Sequence, residues 1–181
     1  INDEVFVTDG PAGKGMITKR EVRLNILSLL QPANEDVIWD IGAGCGSVAV
    51  ELAYWNKKCQ VHAVEHHPER LLCLEANRQK FGVLANLNVL SGRAPAILAD
   101  TPAPNKVFIG GSDGELSELL DQVWNLLPEG GILVASSVME TSKQLLIQFL
   151  QARDHFKDSI NETSQIAISR SGTLAGQLLY R

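Results

Sequence analysis

An α/β fold with a doubly wound, mostly parallel sheet is what this sequence predicts, and three observations predict it. Short apolar runs alternate with helix-length amphipathic segments along most of the chain, the pattern of strands buried on both faces by crossover helices. One such run, Val37–Ile41, leads into the glycine-dense turn Gly42-Ala43-Gly44-Cys45-Gly46 and then a helix start. A second run, Gln60–Glu65, follows one helix later, and both runs carry an acid near their carboxyl ends, Asp40 and Glu65. Strand, glycine turn, helix and second acid-tipped strand make a Rossmann-like nucleoside pocket at the carboxyl edge of a parallel sheet.

The elements follow in order. Residues 1–15 read as an opening loop, with Asp9-Gly10-Pro11 and three glycines. Thr18 predicts an N-cap, with Glu21 three residues on completing a capping box. The helix after it, about Lys19–Leu30, places Val22, Ile26, Leu29 and Leu30 on one face, and Pro32 ends it. The first strand (Val37–Ile41) precedes a helix over about Ser47–Asn56. The second (Gln60–Glu65) leads to Pro68, suited to a first helical turn, and a helix to about Phe81 closed by Gly82. Leu87–Leu90 and Lys106–Ile109 are short apolar strands. A helix over Asp113–Leu127, the turn Pro128-Glu129-Gly130-Gly131, a strand at Ile132–Ala135 and a helix over Glu140–Ala152 follow. The last thirty residues or so alternate apolar and polar positions, predicting an antiparallel pair at Ser159–Ser169 and Thr173–Tyr180 around Gly172.

Composition narrows the function. The 181 residues fit one domain, 1–181, with a sizeable core. A net charge of −5 argues against general attraction to nucleic acid or to an anionic membrane. Cys45, Cys59 and Cys73 are odd in number and form no C-x-x-C pair, so reduced thiols in a cytoplasmic protein are expected. No apolar run has the length of a transmembrane helix. The first residue is Ile1, which suits either a trimmed separate protein or the second half of a fusion.

The glycine spacing separates the nucleoside cofactors. Dinucleotide folds use G-x-G-x-x-G because a pyrophosphate sits on the exposed helix N-terminus. Here the spacing is G-x-G-x-G, and Asp40 stands two residues before it. An acid there is poorly placed for phosphate but suits an ammonium group, so S-adenosyl-L-methionine is expected rather than NAD. Glu65 offers two acceptor oxygens to a ribose diol. His66 and His67 follow it without a third metal ligand at helpful spacing, and they read as pocket-rim histidines, with no metal expected.

Four stretches carry a resemblance: Ile17-Thr18-Lys19-Arg20-Glu21-Val22-Arg23, Trp39 to Val48, Phe108-Ile109-Gly110-Gly111-Ser112 and Ile166-Ala167-Ile168-Ser169-Arg170. Together they resemble the precorrin-6Y C5,15-methyltransferase (decarboxylating) family in its C15-methylating, decarboxylating part, within the class I S-adenosylmethionine-dependent methyltransferases. The resemblance implies a seven-stranded sheet with a reversed C-terminal hairpin. It implies that Thr18 borders the methionine end of the cofactor, that Gly42, Ala43, Gly44, Cys45 and Gly46 wrap methionine and ribose, and that Ala94 lies against the adenine. It further implies a carboxylate-rich tetrapyrrole as substrate, methylated at C15 and decarboxylated at an acetate arm in cobalamin biosynthesis. Lys19, Arg20 and Arg170 would meet those carboxylates, in company with Lys14, Arg23 and Arg93, and Gly110, Gly111 and Ser112 would leave room for the flat macrocycle. Self-association, with the tetramer as one form, and a fused or partner C5-methylating domain are implied too.

One departure stands out. Many methyltransferases carry an acid after the third strand to hold the adenine amino group, where this chain has Arg93, which cannot accept a hydrogen bond. No residue marks itself as the catalyst of decarboxylation. Two other readings remain in view: a methyltransferase acting on RNA or protein, and a non-catalytic nucleoside-binding module of a fused protein. The RNA reading lacks a basic stripe with interleaved aromatics.

Overall fold

The structure, a computed structural model, describes residues 1–11, 14–153, 160–175 and 177–180. After a single 3-10 turn at Asp3–Val5, the chain runs α1 (Arg20–Leu30), β1 (Val37–Ile41), α2 (Ser47–Trp55), β2 (Gln60–Glu65), α3 (Pro68–Lys80) and β3 (Leu87–Ser91). A 3-10 turn at Ala96–Leu98 precedes β4 (Lys106–Ile109), α4 (Leu116–Leu126), β5 (Ile132–Ala135), α5 (Glu140–Arg153), β6 (Ser171–Leu174) and β7 (Gln177–Tyr180).

Five strands form one parallel sheet in the order β3-β2-β1-β4-β5. The chain winds outward from β1 to β3, then crosses back to β4 on the other side of β1, which opens a crevice at their carboxyl ends. Register aligns those ends: Ile41 of β1 faces Val64 of β2 and Ile109 of β4. Period-two alternation divides the strand side chains between two cores. Ile38, Val61, Ala63 and Phe108 pack with Ile26, Leu30, Val48, Leu52 and Leu74 from α1–α3. Trp39, Ile41, Val64, Val107 and Ile109 pack with Leu116, Leu119, Leu120 and Val123 of α4.

The parallel strands match the sequence reading closely, but other parts depart from it. The resemblance implied one seven-stranded sheet; among the described residues the five-stranded sheet and the antiparallel pair β6-β7 are separate. The predicted strand at Ser159–Ser169 is not formed over 160–169, and Ser159 lies outside the described residues. Gly172, expected as the turn, instead pairs with Leu179 inside the hairpin, and the left-handed Ala175 follows β6. Alternation alone could not set that register, because among the described side chains of this hairpin none is buried to select it. Gly13 of the opening loop also lies outside the described residues.

Thr18 does not cap α1. The capping position is Lys19, with no side-chain cap bond, and the Arg20 N–H donates instead to Asp3 Oδ1 at 3.0 Å. A carboxylate from seventeen residues upstream thus satisfies the helix end that a local capping box was expected to satisfy. Helix α4 begins at Leu116 rather than Asp113, because Asp113 (φ 46°) and Gly114 (φ 93°) adopt left-handed conformations.

Candidate functional site

The carboxyl edge of the sheet gathers the predicted cofactor residues. Gly42 and Ala43 donate their N–H groups to Val64 O of the neighbouring strand, each at 3.0 Å. Cys45 donates to Met16 O at 3.0 Å, which fastens the loop before α1 onto the glycine turn. Gly46, at φ 85°, begins α2 with Leu74 lying where its Cβ would be. The Thr18 N–H donates to Ser47 Oγ at 3.1 Å, which brings Thr18 to the same helix N-terminus.

Glu65 closes the far side. Its Oε2 accepts from Gly44 N–H at 2.9 Å, and its Oε1 accepts from His66 and His67 N–H at 2.7 and 2.9 Å. These bonds fix the carboxylate in place, and a carboxylate has lone pairs to spare for a diol. Side-chain ligand atoms of Glu65, His66 and His67 lie within 4.8 Å of one another, and three backbone N–H groups already bond the Glu65 carboxylate.

Asp40 is the exceptional residue. It is buried, and neither carboxylate oxygen has a hydrogen-bond partner. Burial pushes its pKa up to about 7; the nearby Ala49 N–H offsets part of this without proper hydrogen-bond geometry, and the Glu65 charge adds to the rise. A buried acid with nothing to bind fits a missing cationic partner. The sign for stability follows. Unfolded, Asp40 ionises at its ordinary value of 3.8, so between there and about 7 the folded chain keeps a proton the unfolded chain has lost. Stability falls as pH rises across that window and levels off above it. Asp40→Asn is expected to remove this fall, a gain of up to about 4 kcal/mol at pH 8 relative to pH 4. Denaturant unfolding at several pH values reads it, and an unaltered pH slope would show that Asp40 does not set it.

The other predicted residues divide. Ala94 lies in the loop after β3, half-buried against the α4-side core. Gly110 and Gly111 are exposed beside Gly42, both donating to Ile41 O, with Ser112 following. Arg20 donates to Asn2 Oδ1 at 2.7 Å, and Arg170 pairs with Glu21 at 2.5 Å and Asp3 at 3.3 Å. Arg20 and Arg170 line a cavity of about 440 Å³ together with Asp3, Glu21 and Ser169, and Lys19 lies near enough to lower the Asp3 pKa. Arg20 and Arg170 therefore gather at one place with Lys19 nearby, whereas Arg93 lies apart beside Asp113 and Lys14 does not line this cavity. Arg23 was placed in that rim and is instead fully buried between Asp3 and Glu51.

Sequence reasoning missed residues that hold the site from behind. Asn77 of α3 bonds Val7 through both its amide groups and donates to Cys45 O at 2.8 Å. Asp9 accepts from Met16 N–H at 2.7 Å. An asparagine on the face of α3 that carries Cys73 and Leu74 was the available signal for the first; nothing marked the second.

The family model described as precorrin methyltransferase domain matches residues 4–178. The chain is 36% identical over 175 residues to the precorrin-6Y C(5,15)-methyltransferase (decarboxylating) of Sinorhizobium sp, covering 97% of this chain and 39% of that protein. It therefore spans well under half the length of that relative. Over 141 residues it is 38% identical to the cobalt-precorrin-6B C(15)-methyltransferase (decarboxylating) of Salmonella typhimurium, covering 77% of this chain and 70% of that one. The crystal structure of precorrin-6y C5,15-methyltransferase from Geobacter metallireducens superposes with a TM-score of 0.88 at 33% identity, over 99% of this chain and 90% of that chain. With the glycine turn, the two acids and the sheet order in place, the chain belongs to the precorrin methyltransferase domain family.

Proposed function

We propose that this chain is an S-adenosyl-L-methionine-dependent methyltransferase that methylates C15 of a precorrin and decarboxylates an acetate side chain, in cobalamin biosynthesis. The observation that carries the cofactor reading is the buried, partnerless Asp40 beneath a left-handed glycine turn with Glu65 across it. The residues fit the cofactor: Asp40 and the Thr18 loop suit its amino-acid end, Gly42 through Gly46 suit backbone contact, Glu65 suits the ribose, and Ala94 would lie on the adenine side.

When bound, the cofactor supplies an electrophilic methyl group. The protein's part is to position and to exclude water. Gly110, Gly111 and Ser112 leave open space beside the glycine turn, where a flat ring system can approach. Lys19, Arg20 and Arg170 suit peripheral carboxylates, with arginine offering bidentate bonds. Asp3 and Glu21 hold Arg20 and Arg170 in the free protein, and substrate carboxylates would take over these bonds. Self-association, as a tetramer or otherwise, and pairing with a C5-methylating domain belong to the same proposal, as does the joining of the hairpin to β5 as a seven-stranded sheet. Helix α5 buries no residue, and Val138, Met139, Ile160 and Leu178 are exposed, so this last quarter of the chain has apolar surface to offer. No helix among the described residues is long and apolar enough to cross a membrane.

Calorimetric titration with S-adenosylhomocysteine and with NAD tests the cofactor reading. S-adenosylhomocysteine alone should bind, and Glu65→Ala should weaken it roughly 100-fold, as expected for losing charge-assisted bonds to two hydroxyls. Binding of NAD, or no effect of the substitution, would overturn the reading. Turnover of a precorrin-6B substrate to a product that is both methylated and lighter by one carbon dioxide tests the reaction itself.

A further inference from the structure

Three loops from different strands meet above the crevice at a single acid. Asp113, after β4, brings Oδ2 within 3.2 Å of His66 Nε2, after β2, and 3.8 Å of Arg93 Nη1, after β3. In the sheet, β4 and β3 lie three strand spacings apart with β1 and β2 between them, roughly 14 Å at about 4.8 Å per strand. The Asp113 loop therefore reaches across the carboxyl ends of β1 and β2. It does so through two successive left-handed residues, Asp113 at φ 46° and Gly114 at φ 93°. Aspartate tolerates that region better than most non-glycine residues, though less well than glycine.

Ion pairing alone does not account for the arrangement. At 3.8 Å the Arg93 contact is too long for a hydrogen bond, and both side chains are about half-exposed, where an ion pair adds little stability. His66 Nε2 is shut off from solvent yet makes no hydrogen bond of proper geometry. Both contacts fall on Oδ2 of Asp113, and no hydrogen bond to Oδ1 is formed among the described residues.

Position gives the arrangement a use. If Glu65 holds the ribose and Asp40 the cationic end, the base lies beyond Glu65 on the side away from Asp40. That is the side of His66, of β3 and of the Arg93 loop. Adenine presents an exocyclic amino group, a donor that needs an acceptor. Arg93 has donors only. We propose that Asp113 is the acceptor for the adenine amino group, a specificity-determining residue that crosses from β4 to the side of Arg93 and His66. The inference rests on the cofactor reading above. It assigns the acidic partner that the loop after β3 lacks to a different strand.

The test compares S-adenosylhomocysteine with S-inosylhomocysteine, which carries an oxygen in place of the amino group, by calorimetry on the full chain. Wild type should prefer the adenine ligand by tenfold or more. Asp113→Ala should weaken S-adenosylhomocysteine roughly 10–100-fold and leave the inosine ligand unchanged or tighter, so that the preference disappears. Asp113→Gly should do the same while relieving the left-handed strain, which separates recognition from any folding defect. Asp113→Asn keeps an amide acceptor and should retain part of the preference. The proposal is overturned if the preference survives in both Asp113→Ala and Asp113→Gly, or if both ligands weaken equally, which would make the loop a strap and not a reader. Wild type binding neither ligand would overturn the cofactor reading and this proposal with it, a result distinguishable before any variant is made.

Discussion

Replacing Arg23 with Ala should destabilise the protein by about 3–5 kcal/mol, since it strands buried carboxylates. The guanidinium is fully buried, with Nε 3.1 Å from Glu51 Oε2 and Nη1 2.7 Å from Asp3 Oδ1, and its Nη groups also donate to Thr18 O and Ile1 O. Its carbon lies over the Phe6 ring at 4.9 Å. Removing it leaves two interior carboxylates without the guanidinium that spans them, with only Arg170 still paired to Asp3 at 3.3 Å and the Ile1 ammonium to Glu51. For a chain of this size the melting temperature should fall on the order of 10 °C. The pH dependence should report the mechanism. Burial alone would raise the Asp3 pKa, but Arg23 outweighs it and holds that carboxyl below its usual range. In the wild type this contribution is present above the ordinary carboxylate pKa and lost on acidification. In Arg23→Ala the sign should reverse, with stability gained as the pH drops toward 5, because protonation relieves the stranded charges. Arg23→Lys should recover only part, since one ammonium cannot span both acids. A loss below 1 kcal/mol, or an unaltered pH profile, would show that the cluster does not hold the fold. Cofactor affinity should fall as well, because Arg23 holds Thr18 and, through that loop, the contact between Met16 and Cys45.

Gly42→Ala should be nearly as damaging, for a backbone reason. Gly42 sits at φ 73°, and a Cβ there would lie 2.5–2.7 Å from the O, N and Cα of Gly111. All three atoms are backbone, so no rotamer change relieves the clash. The left-handed conformation alone costs an alanine about 1–2 kcal/mol. Relief requires the β1 and β4 loops to separate, which opens the crevice where the proposed cofactor lies. We expect about 3 kcal/mol or more of lost stability, together with loss of measurable S-adenosylhomocysteine binding. Gly111→Ala is the control. Its Cβ would meet Gly42 only at 3.8 and 3.9 Å, an ordinary contact, so fold and cofactor binding should survive while tetrapyrrole methylation slows. Equal melting temperatures for the two variants would refute the argument.

Much of this was legible in the chain itself. The boundaries of β1, β2, β4 and β5 coincide with the apolar runs that predicted them, because a strand covered on both faces must be apolar throughout and short. Proline at the head of α3 and glycine after its end marked that helix for local steric reasons. The glycine spacing and the two acids pointed to the crevice where the nucleoside is proposed to lie, since a close backbone approach can be read from residues adjacent in sequence. The basic residues flanking α1 were recognised as a group, and Arg20 and Arg170 do meet across 150 positions of chain.

What the sequence alone determined is therefore the part governed by neighbours: periodicity, turn chemistry and the order of elements around the sheet. Tertiary structure decided the rest. Arg23 looks like its basic neighbours in the sequence, yet its position one turn into α1 directs it inward to Asp3 and Glu51. Thr18 has the residue type of a cap, but Asp3 reaches the helix end first. Asp113 reads as the start of a helix, and only the crossing of the β4 loop over two strands brings it to Arg93 and His66. In each case the deciding partner is between 15 and about 50 residues away, and charge pairing at that separation leaves no local pattern, since it depends on which surfaces the packed layers bring together.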